Sequence, residues 1–328
     1  MAETMPTAAT AAGGAVVSAP TADRPLDLSG ARSRNASERV IGFALFLCGA
    51  LSVLTTIGIV GVLIFETVEF FRLVSFWDYI TGTEWRPNRN VERGDWGVLP
   101  LVSATLTYAL IAMLIAIPIG LMTAIYLSEY APQNVRSVVK PILELLAGVP
   151  TIVYGFFALT FITPEILKRL ESTIGPFNVL AAGLAIGALT IPLVASLSED
   201  ALRAVPRALR EGAYALGATK LETSIRIVFP AAISGVVASV LLALGRAVGE
   251  TMIIVVAAGS RPADVIPNPL GQLQAMTSYI VLTLSGDAPR GTTEYRTLFA
   301  VGLTLFAMTL LLNIVSQWLV ARYREVYQ

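Results

Sequence analysis

Long uncharged segments alternate with short charged ones along the 328-residue chain. Six of these segments are at least 19 residues long, and they cover residues 40–65, 96–128, 145–164, 172–198, 227–245 and 297–321. Each can cross a bilayer as a helix, which takes about 18 to 20 apolar residues. Because backbone groups within lipid must be hydrogen-bonded inside their own segment, the pattern predicts an all-α membrane protein with six transmembrane helices.

The segments around these runs predict how the chain is organised. Residues 1–39 are rich in Ala, Thr, Ser, Gly and Pro without a periodic apolar face, so we expect a disordered cytoplasmic tail. Residues 40–96 should form the first transmembrane helix and an external loop, whose aromatic residues we place at the level of the lipid headgroups. Residues 97–328 should form the core of the protein.

Two uncharged segments do not correspond simply to one crossing. The run 96–128 is too long, so its first part should lie outside the membrane, followed by a transmembrane helix near 103–127 with a kink at Pro118. Residues 265–286 are also uncharged, but only half of them are apolar, and two prolines interrupt the segment. We therefore predict an interfacial or re-entrant segment there and not a seventh span.

Six crossings place both termini on the same side of the membrane. Lys and Arg are somewhat more frequent in the loops that lie inside when the N-terminus is cytoplasmic, which is the bias that sets membrane orientation. We therefore predict a multi-pass membrane protein with both termini in the cytoplasm.

Small residues four positions apart predict close contacts between helices. Gly183 and Gly187 have this spacing, and so do Gly245 and Gly249. The missing side chains let two helix backbones approach each other, so we expect both pairs to pack against a neighbouring helix.

The composition agrees with a membrane protein and excludes most enzyme classes. Charged residues make up 14% of the chain, against about 25% in soluble domains. Lys plus Arg and Asp plus Glu are equal in number, so charge gives no reason to expect nucleic-acid binding. The chain has no His and one Cys, Cys48, which excludes zinc clusters, His-based nucleophilic pairs and an intrachain disulfide. Transport, signalling and scaffolding remain, and we predict no catalytic or metal site.

The longest basic loop, residues 199–226, has the pattern of an amphipathic helix that ends at a glycine. Apolar residues recur every three or four positions from Leu202 to Leu216, and Gly217 should then end the helix. A second helix should start at Leu221 and lead into the fifth span. Two interpretations fit: a solvated loop kept inside by its positive charge, or a pair of helices that lies in a groove on a cytosolic partner.

The same loop resembles the EAA loop of ABC importer permeases, which has the form E-A-A-x3-G-x9-I-x-L-P. The matching positions are Glu211, Gly212, Ala213, Gly217, Ile227 and Pro230, where Gly212 replaces the second Ala, and Phe229 replaces the Leu. The resemblance implies a coupling helix that docks on a cytosolic ATPase subunit. We define the coupling loop as residues 199–230.

Two glycines of this loop also have the spacing of a phosphate-binding P-loop. However, Gly217 is followed by Ala218 and Thr219, where the P-loop motif needs Lys and then Ser or Thr. We therefore expect this chain to bind no cofactor, and we expect ATP and Mg²⁺ to be bound by a partner ATPase subunit.

Five further strings narrow the family. They are TGTEW at 81–85, LSEYAP at 127–132, ELLAGVPTIVYG at 144–155, GRAVGETM at 245–252 and MTSYI at 276–280. Together they resemble the PstC-type permeases of phosphate ABC importers, from about Leu45 to the C-terminus. The resemblance implies the architecture of a type I ABC importer permease. It also implies a PstA-like second permease, two PstB-like ATPase subunits and an external PstS-like phosphate-binding protein as partners. The complex would lie in the lipid of a bacterial inner (plasma) membrane.

Two charged residues interrupt the apolar stretch 227–259, where each ion costs about 2.5 to 3.5 kcal/mol on insertion scales. Arg246 and Glu250 are four residues apart, so on a helix they should share one face and be able to pair. One interpretation is a structural ion pair. The other is an anion pathway in which Arg246 binds phosphate through its planar guanidinium and Glu250 positions that group.

The sequence thus predicts the permease subunit of an ATP-driven importer of inorganic phosphate. A permease for another oxyanion, such as sulfate, molybdate or phosphonate, is the main alternative. An ion-coupled secondary transporter would show inverted repeats or broken helices with ion ligands at the midplane, and the sequence shows neither clearly. A membrane sensor or scaffold would need neither buried ions nor a coupling loop. The sequence has both, which disfavours this class.

Overall fold

The computed structural model describes residues 31–87, 94–261, 265–286 and 288–323. The chain separates into two units, Met1–Gly58 and Ile59–Gln328. In chain order the elements are α1 (Ala31–Phe71), α2 (Phe76–Thr81), β1 (Trp85–Arg86), β2 (Asp95–Trp96), α3 (Leu99–Ile125), α4 (Gln133–Ala147), α5 (Thr151–Phe157), α6 (Lys168–Leu170), α7 (Val179–Ala204), α8 (Arg207–Ala215), α9 (Lys220–Thr223), α10 (Phe229–Ala231), α11 (Ile233–Val248), α12 (Met252–Ala257), α13 (Met276–Ser285) and α14 (Thr293–Tyr323). π-helical segments follow α3, α5 and α9 directly, at Tyr126–Tyr130, Ala158–Leu167 and Ser224–Val228.

The structure confirms the prediction of an all-α membrane protein. Five described helical segments are long and apolar enough to cross a membrane: Glu38–Phe71, Leu99–Tyr130, Thr151–Leu170, Val179–Ala204 and Thr293–Arg322. One further crossing, the fifth in chain order, consists of two helical parts, Lys220–Ala231 and Ile233–Val248, with a bend of 72° between them. Each of the six uncharged runs therefore corresponds to one crossing.

Two predicted boundaries are wrong. The predicted disordered tail included residues 31–39, which form the beginning of α1, while residues 1–30 lie outside the described residues. The second crossing starts at Leu99 and not near residue 103. Pro100 lies in the first turn of α3, where backbone N–H groups have no partner within the helix, so a proline is tolerated there. The same helix contains Pro118 in its interior and continues to Ile125.

The fifth predicted span is bent at Ala232. This residue has φ −93° and ψ 0°, outside helical geometry, and it separates α10 from α11. Pro230 lies just before it, and a proline ring clashes with the carbonyl group four residues earlier in a regular helix. Here that carbonyl belongs to Arg226, in the π-helical segment 224–228, whose wider turn gives the ring room.

The helix α3 packs along α7 through the first of the two predicted glycine pairs. A Cβ atom built on Gly183 would lie 2.7 Å from Cγ2 of Ile111, and one built on Gly187 would lie 3.1 Å from the carbonyl oxygen of Ala112. The prediction of close packing is therefore confirmed for this pair. No such contact occurs at the second pair: a Cβ built on Gly245 meets no neighbouring segment of the described chain within 4 Å, and one built on Gly249 meets only carbonyl oxygens of its own helix.

The loop after α1 forms a buried aromatic cluster. β1 and β2 pair in antiparallel register with Trp85 opposite Trp96. Tyr79 and Trp85 are only 2% and 1% exposed, so protein covers both side chains, whereas Trp77 is exposed. Burial raises the pKa of Tyr79, so its hydroxyl stays protonated, and its oxygen lies 2.8 Å from the hydroxyl oxygen of Thr304. This contact joins the loop after α1 to α14.

The segment 265–286 is not a seventh span. Its only helix in the described residues is α13, which has 10 residues and is too short to cross a bilayer. The part before α13 covers the first turn of α7, where the backbone N–H groups of Val179 and Leu180 donate to the carbonyl oxygens of Gly271 and Pro269, at 3.1 and 2.8 Å. These bonds satisfy groups that a helix leaves unpaired at its N-terminus.

Candidate functional site

The coupling loop consists of two helical parts separated by a proline and a glycine turn. α7 ends at Ala204, and Val205 is extended with ψ 130° because Pro206 follows it. α8 then begins at Arg207. The apolar stripe that we predicted from Leu202 to Leu216 as one helix is therefore divided between α7 and α8.

A Schellman motif ends α8 at the predicted glycine. Gly217 has φ +84°, a conformation that residues with a Cβ rarely adopt. Its N–H donates to the carbonyl of Tyr214 at 2.9 Å, and the N–H of Ala218 donates to the carbonyl of Ala213 at 3.1 Å. The turn passes directly into α9. The hydroxyl of its cap residue Thr219 accepts a hydrogen bond from the N–H of Glu222, and the N–H of Thr219 donates to the carboxylate of Glu222.

The matching residues of the EAA pattern do not all lie on one surface. Glu211 and Gly212 are exposed on α8, whereas Ala213 is 4% exposed and faces inward. Ile227 is half-buried in the π-helical segment, and Pro230 is exposed in α10, next to the bend of the fifth crossing. α8 also exposes Tyr214, and Leu216 beyond its last turn is 91% exposed. The exposed part of α8 and its turn is therefore partly apolar, which is typical of a surface that binds another protein.

An ion pair that sequence reasoning missed connects α8 to the second crossing. Nη2 of Arg210 donates to Oε1 of Glu129 at 2.9 Å, and it also donates to the carbonyl of Leu202 at 2.8 Å. Nη1 of Arg210 donates to the carbonyl of Val205 at 2.7 Å. One guanidinium thus binds both the end of α7 and the end of the second crossing. In the sequence Glu129 lies in the LSEYAP string and Arg210 in the basic loop, but nothing in either pattern indicates that the two side chains are in contact.

A second buried carboxylate, Glu199 near the end of α7, joins that helix to α4. It is fully buried, and it accepts hydrogen bonds from Nε of Arg136 at 2.8 Å and Nζ of Lys140 at 2.9 Å. Lys140 also contacts Asp200. Burial by itself would lower the pKa of Lys140, but the hydrogen bonds and negative charges of Asp200 and Glu199 outweigh it and raise the pKa. The lysine is therefore a stable cation, and the start of the coupling loop is held in place from two sides.

The two membrane charges lie on either side of a helix break. Arg246 is exposed in the last turn of α11, which ends at Val248, while Glu250 is 7% exposed and precedes α12. The prediction that they share one helix face and pair is wrong, because no ion pair or hydrogen bond joins Arg246 to any residue in the described ranges. Oε1 of Glu250 instead accepts a long hydrogen bond of 3.4 Å from the N–H of Ile253.

Side chains from two other helices hold this break. The hydroxyl of Tyr108 on α3 donates to the carbonyl oxygen of Val248 at 2.8 Å. The hydroxyl of Thr277 on α13 donates to the carbonyl oxygen of Glu250 at 2.8 Å. Backbone groups that the broken helix leaves without partners are thereby satisfied by side chains of neighbouring helices. Specific hydrogen bonds therefore stabilise the break, which lies next to the exposed cation of Arg246. Such a cation can bind an anion.

The family model described as "Binding-protein-dependent transport system inner membrane component" matches residues 116–325. This match covers more than half of the chain, and it includes the coupling loop, the helix break and the last crossing. The chain belongs to this family. It is therefore a multi-pass permease of the ABC importer type, located in an inner membrane.

Several curated relatives extend the likeness beyond this region. A probable ABC transporter permease, YqgH of Bacillus subtilis, is 33% identical over 246 residues, covering 75% of this chain and 78% of the relative. The phosphate transport system permease protein PstC of Xylella fastidiosa is 34% identical over 263 residues, covering 74% and 78%. PstC 1 of Mycobacterium tuberculosis is 30% identical over 275 residues, covering 74% and 81%.

Solved structures agree with the fold. The importer of the acidic polysaccharide alginate contains a chain that matches with a TM-score of 0.59 and 17% identity, covering 89% of this chain and all of that one. The inward-facing methionine transporter MetNI gives a TM-score of 0.51 with 19% identity, covering 70% and 95%. These likenesses confirm the architecture of a type I ABC importer permease.

Proposed function

We propose that this chain is one of two permease subunits of an ATP-driven importer of inorganic phosphate. The observation that carries the proposal is the exposed guanidinium of Arg246, without an ionic partner in the described chain, beside a helix break inside the membrane region. A planar guanidinium can form two parallel hydrogen bonds to a tetrahedral oxyanion. Relatives named as phosphate transport permeases support phosphate as that anion.

Arg246 and Glu250 then have different roles in the pathway. Arg246 binds the passing anion, because a cation this far into an apolar segment is costly unless it has a function. Glu250 is the residue we expected to position the guanidinium, and in this structure its carboxylate instead contacts the start of α12. Glu250 therefore acts on Arg246 by fixing the backbone at the break.

The coupling loop is the part of the chain that meets the ATPase. In this proposal Glu211, Gly212, Ala213, Gly217, Ile227 and Pro230 form the coupling surface and its supports, and α8 is the coupling helix. ATP and Mg²⁺ bind to two PstB-like subunits in the cytoplasm, where both termini of this chain also lie. A PstA-like permease completes the pathway, and an external PstS-like protein delivers phosphate.

A permease for another oxyanion is the second candidate. The exposed Arg246 is compatible with it, since a guanidinium binds sulfate and molybdate by the same geometry as phosphate. The relative YqgH, whose name gives no substrate, is equally compatible with either candidate. An ion-coupled secondary transporter is not supported, because the chain belongs to a family of binding-protein-dependent permeases.

Reconstitution tests this proposal directly. The chain is co-expressed with its partner permease, ATPase and binding protein, and the purified complex is placed in proteoliposomes. We expect uptake of radiolabelled phosphate only with hydrolysable ATP, with no competition from a hundredfold excess of sulfate. Competition by sulfate at equal concentration would favour the second candidate, and uptake without ATP would contradict the coupling role.

A further inference from the structure

A cavity of about 470 Å³ lies beside α8. Its walls come from three places: the end of the second crossing, the start of α4, and the end of α7 with α8. Four arginines and two carboxylates line it: Arg136, Arg203, Arg207, Arg210, Glu129 and Glu211. The cavity therefore has a positive charge, and it lies on the segment that we assign to coupling.

Two of the four arginines are held in place by carboxylates of the same chain. Arg210 donates to Glu129 and to two backbone carbonyls, and Arg136 donates to the buried Glu199. The contacts with Glu129 and Glu199 fix the position of both guanidinium groups, and breaking such a buried contact is costly. These two guanidinium groups form the fixed walls of the cavity.

The other two arginines retain their binding capacity. Nη1 of Arg203 is 3.8 Å from Oε1 of Glu199, beyond hydrogen-bond distance, and both oxygens of Glu199 already accept shorter bonds. Arg207 is exposed and forms no ion pair or hydrogen bond with any residue that the structure describes. Two cations on one side of the cavity are thus available to an anionic group.

We propose that this cavity receives a carboxylate side chain of the cytosolic ATPase subunit and that Arg203 and Arg207 bind it. The proposal rests on the proposed function, and it names the chemistry by which α8 recognises its partner. Tyr214 lines the same cavity and is 43% exposed, and Leu216, which follows α8, is 91% exposed. Arginine, tyrosine and exposed apolar residues around a concave centre are typical of protein interfaces.

A free oxyanion fits these observations less well. It would match the charge of Arg203 and Arg207, but it would leave Tyr214 and Leu216 in contact with water. The cavity of about 470 Å³ is also much larger than a single small anion can fill. A protein side chain with its neighbouring backbone occupies the space and covers the apolar residues at the same time.

The test measures the affinity of the ATPase subunit for the pair of permeases in lipid nanodiscs, at low and high salt. We expect Arg207→Glu and Arg203→Glu each to weaken binding about tenfold, with a smaller loss on adding salt than the unmodified chain shows. Arg207→Lys should retain most of the affinity, because the charge is kept. Arg322→Glu, an equal charge reversal at an exposed residue in the last turn of α14, is the matched control and should bind normally.

Three outcomes would overturn the inference, and they are distinguishable. Normal binding by Arg207→Glu and by Arg203→Glu would remove the cavity from the interface while leaving the docking of α8 intact. Failure of the unmodified pair to bind the ATPase would overturn the proposed function as well. Tight binding of inorganic phosphate to the permease pair alone, lost in Arg207→Glu, would assign the cavity to a free anion.

Discussion

The guanidinium of Arg210 and the carboxylate of Glu129 lie 2.9 Å apart, although 81 positions separate them in the chain. Arg210 belongs to α8, and Glu129 belongs to the π-helical turn that ends the second crossing. Their side chains are 16% and 4% exposed. A displacement of α8 therefore acts on the second crossing through a direct ionic contact that water screens poorly.

Removing Arg210 alone should destabilise the protein more than removing both partners. Arg210→Met leaves the carboxylate of Glu129 buried without its cation, at a cost of about 3 to 5 kcal/mol. In Arg210→Met/Glu129→Leu no buried charge is left unpaired, so most of this loss should be recovered. The thermal unfolding midpoint of the purified chain measures both effects. Equal losses in the two variants would indicate that Arg210 acts mainly through the carbonyls of Leu202 and Val205.

Gly217→Pro should uncouple transport from ATP hydrolysis while the protein still inserts into the membrane. Proline fixes φ near −65° and has no N–H, whereas Gly217 has φ +84° and donates to Tyr214. The turn after α8 is therefore lost. Phosphate uptake by proteoliposomes should fall to background, and normal ATP-dependent uptake would contradict the assignment of α8 as coupling helix.

Gly212→Ala, inside α8 with open space around it, should instead stabilise the helix by about 0.5 to 1 kcal/mol.

Arg246→Lys should reduce phosphate transport at least tenfold and leave assembly unchanged. Lysine keeps the charge but loses the planar pair of donors, and the exposed Arg246 has no ionic partner in the described chain to lose. Transport rates and subunit recovery are measured on the same preparations, with Arg322→Lys as the control for a lost guanidinium elsewhere. The double variant Arg246→Met/Glu250→Leu should assemble but not transport, and substantial uptake by it would contradict both assigned roles.

The two glycine pairs should respond oppositely to alanine. Gly183→Ala places a methyl group 2.7 Å from Ile111, so α3 and α7 must separate, and we expect a loss of about 1 to 3 kcal/mol. Gly245→Ala meets open space and should leave the stability of the isolated chain unchanged or slightly higher. Thermal unfolding of the isolated chain compares the two. Similar losses in both variants would show that α11 packs more closely than the structure indicates.

Single cysteines can test the orientation. In a Cys48→Ala background, a cysteine placed at Gly286 should react with an impermeant thiol reagent from outside the cell, and one placed at Lys220 only from inside. Gly286 directly follows α13, and Lys220 begins α9 at the start of the bent fifth crossing. Labelling of the Gly286 variant from inside would show that the predicted orientation or the number of crossings is incorrect.

The crossings and the end of α8 could be predicted because their causes are local. A crossing needs about 20 apolar residues in a row, and this is visible in the sequence itself. A helix that ends in the left-handed conformation needs a glycine at one position, and Gly217 occupies it. Both features depend on neighbours in the chain and not on which distant segments meet.

The remaining features depend on distant contacts. The spacing of Arg246 and Glu250 indicates one helix face, yet α11 ends between them, where Tyr108 and Thr277 satisfy the broken backbone. The partners of Glu199 come from another helix, more than fifty positions away. A charge pattern read along one segment contains no information on such contacts, because any of several distant cations could have met the same carboxylate.

The end of α11 gives Arg246 an electrostatic partner that is not an ion. The peptide dipoles of a helix add up to about half a negative elementary charge at its C-terminus, and Arg246 lies in that last turn. This partner is part of the backbone and cannot rotate away as a glutamate side chain can. In the proposed pathway, an arriving anion would therefore have no salt bridge to break, and a departing anion would leave the guanidinium still partly compensated. The helix break thus makes the cation tolerable within the membrane in both the loaded and the empty state.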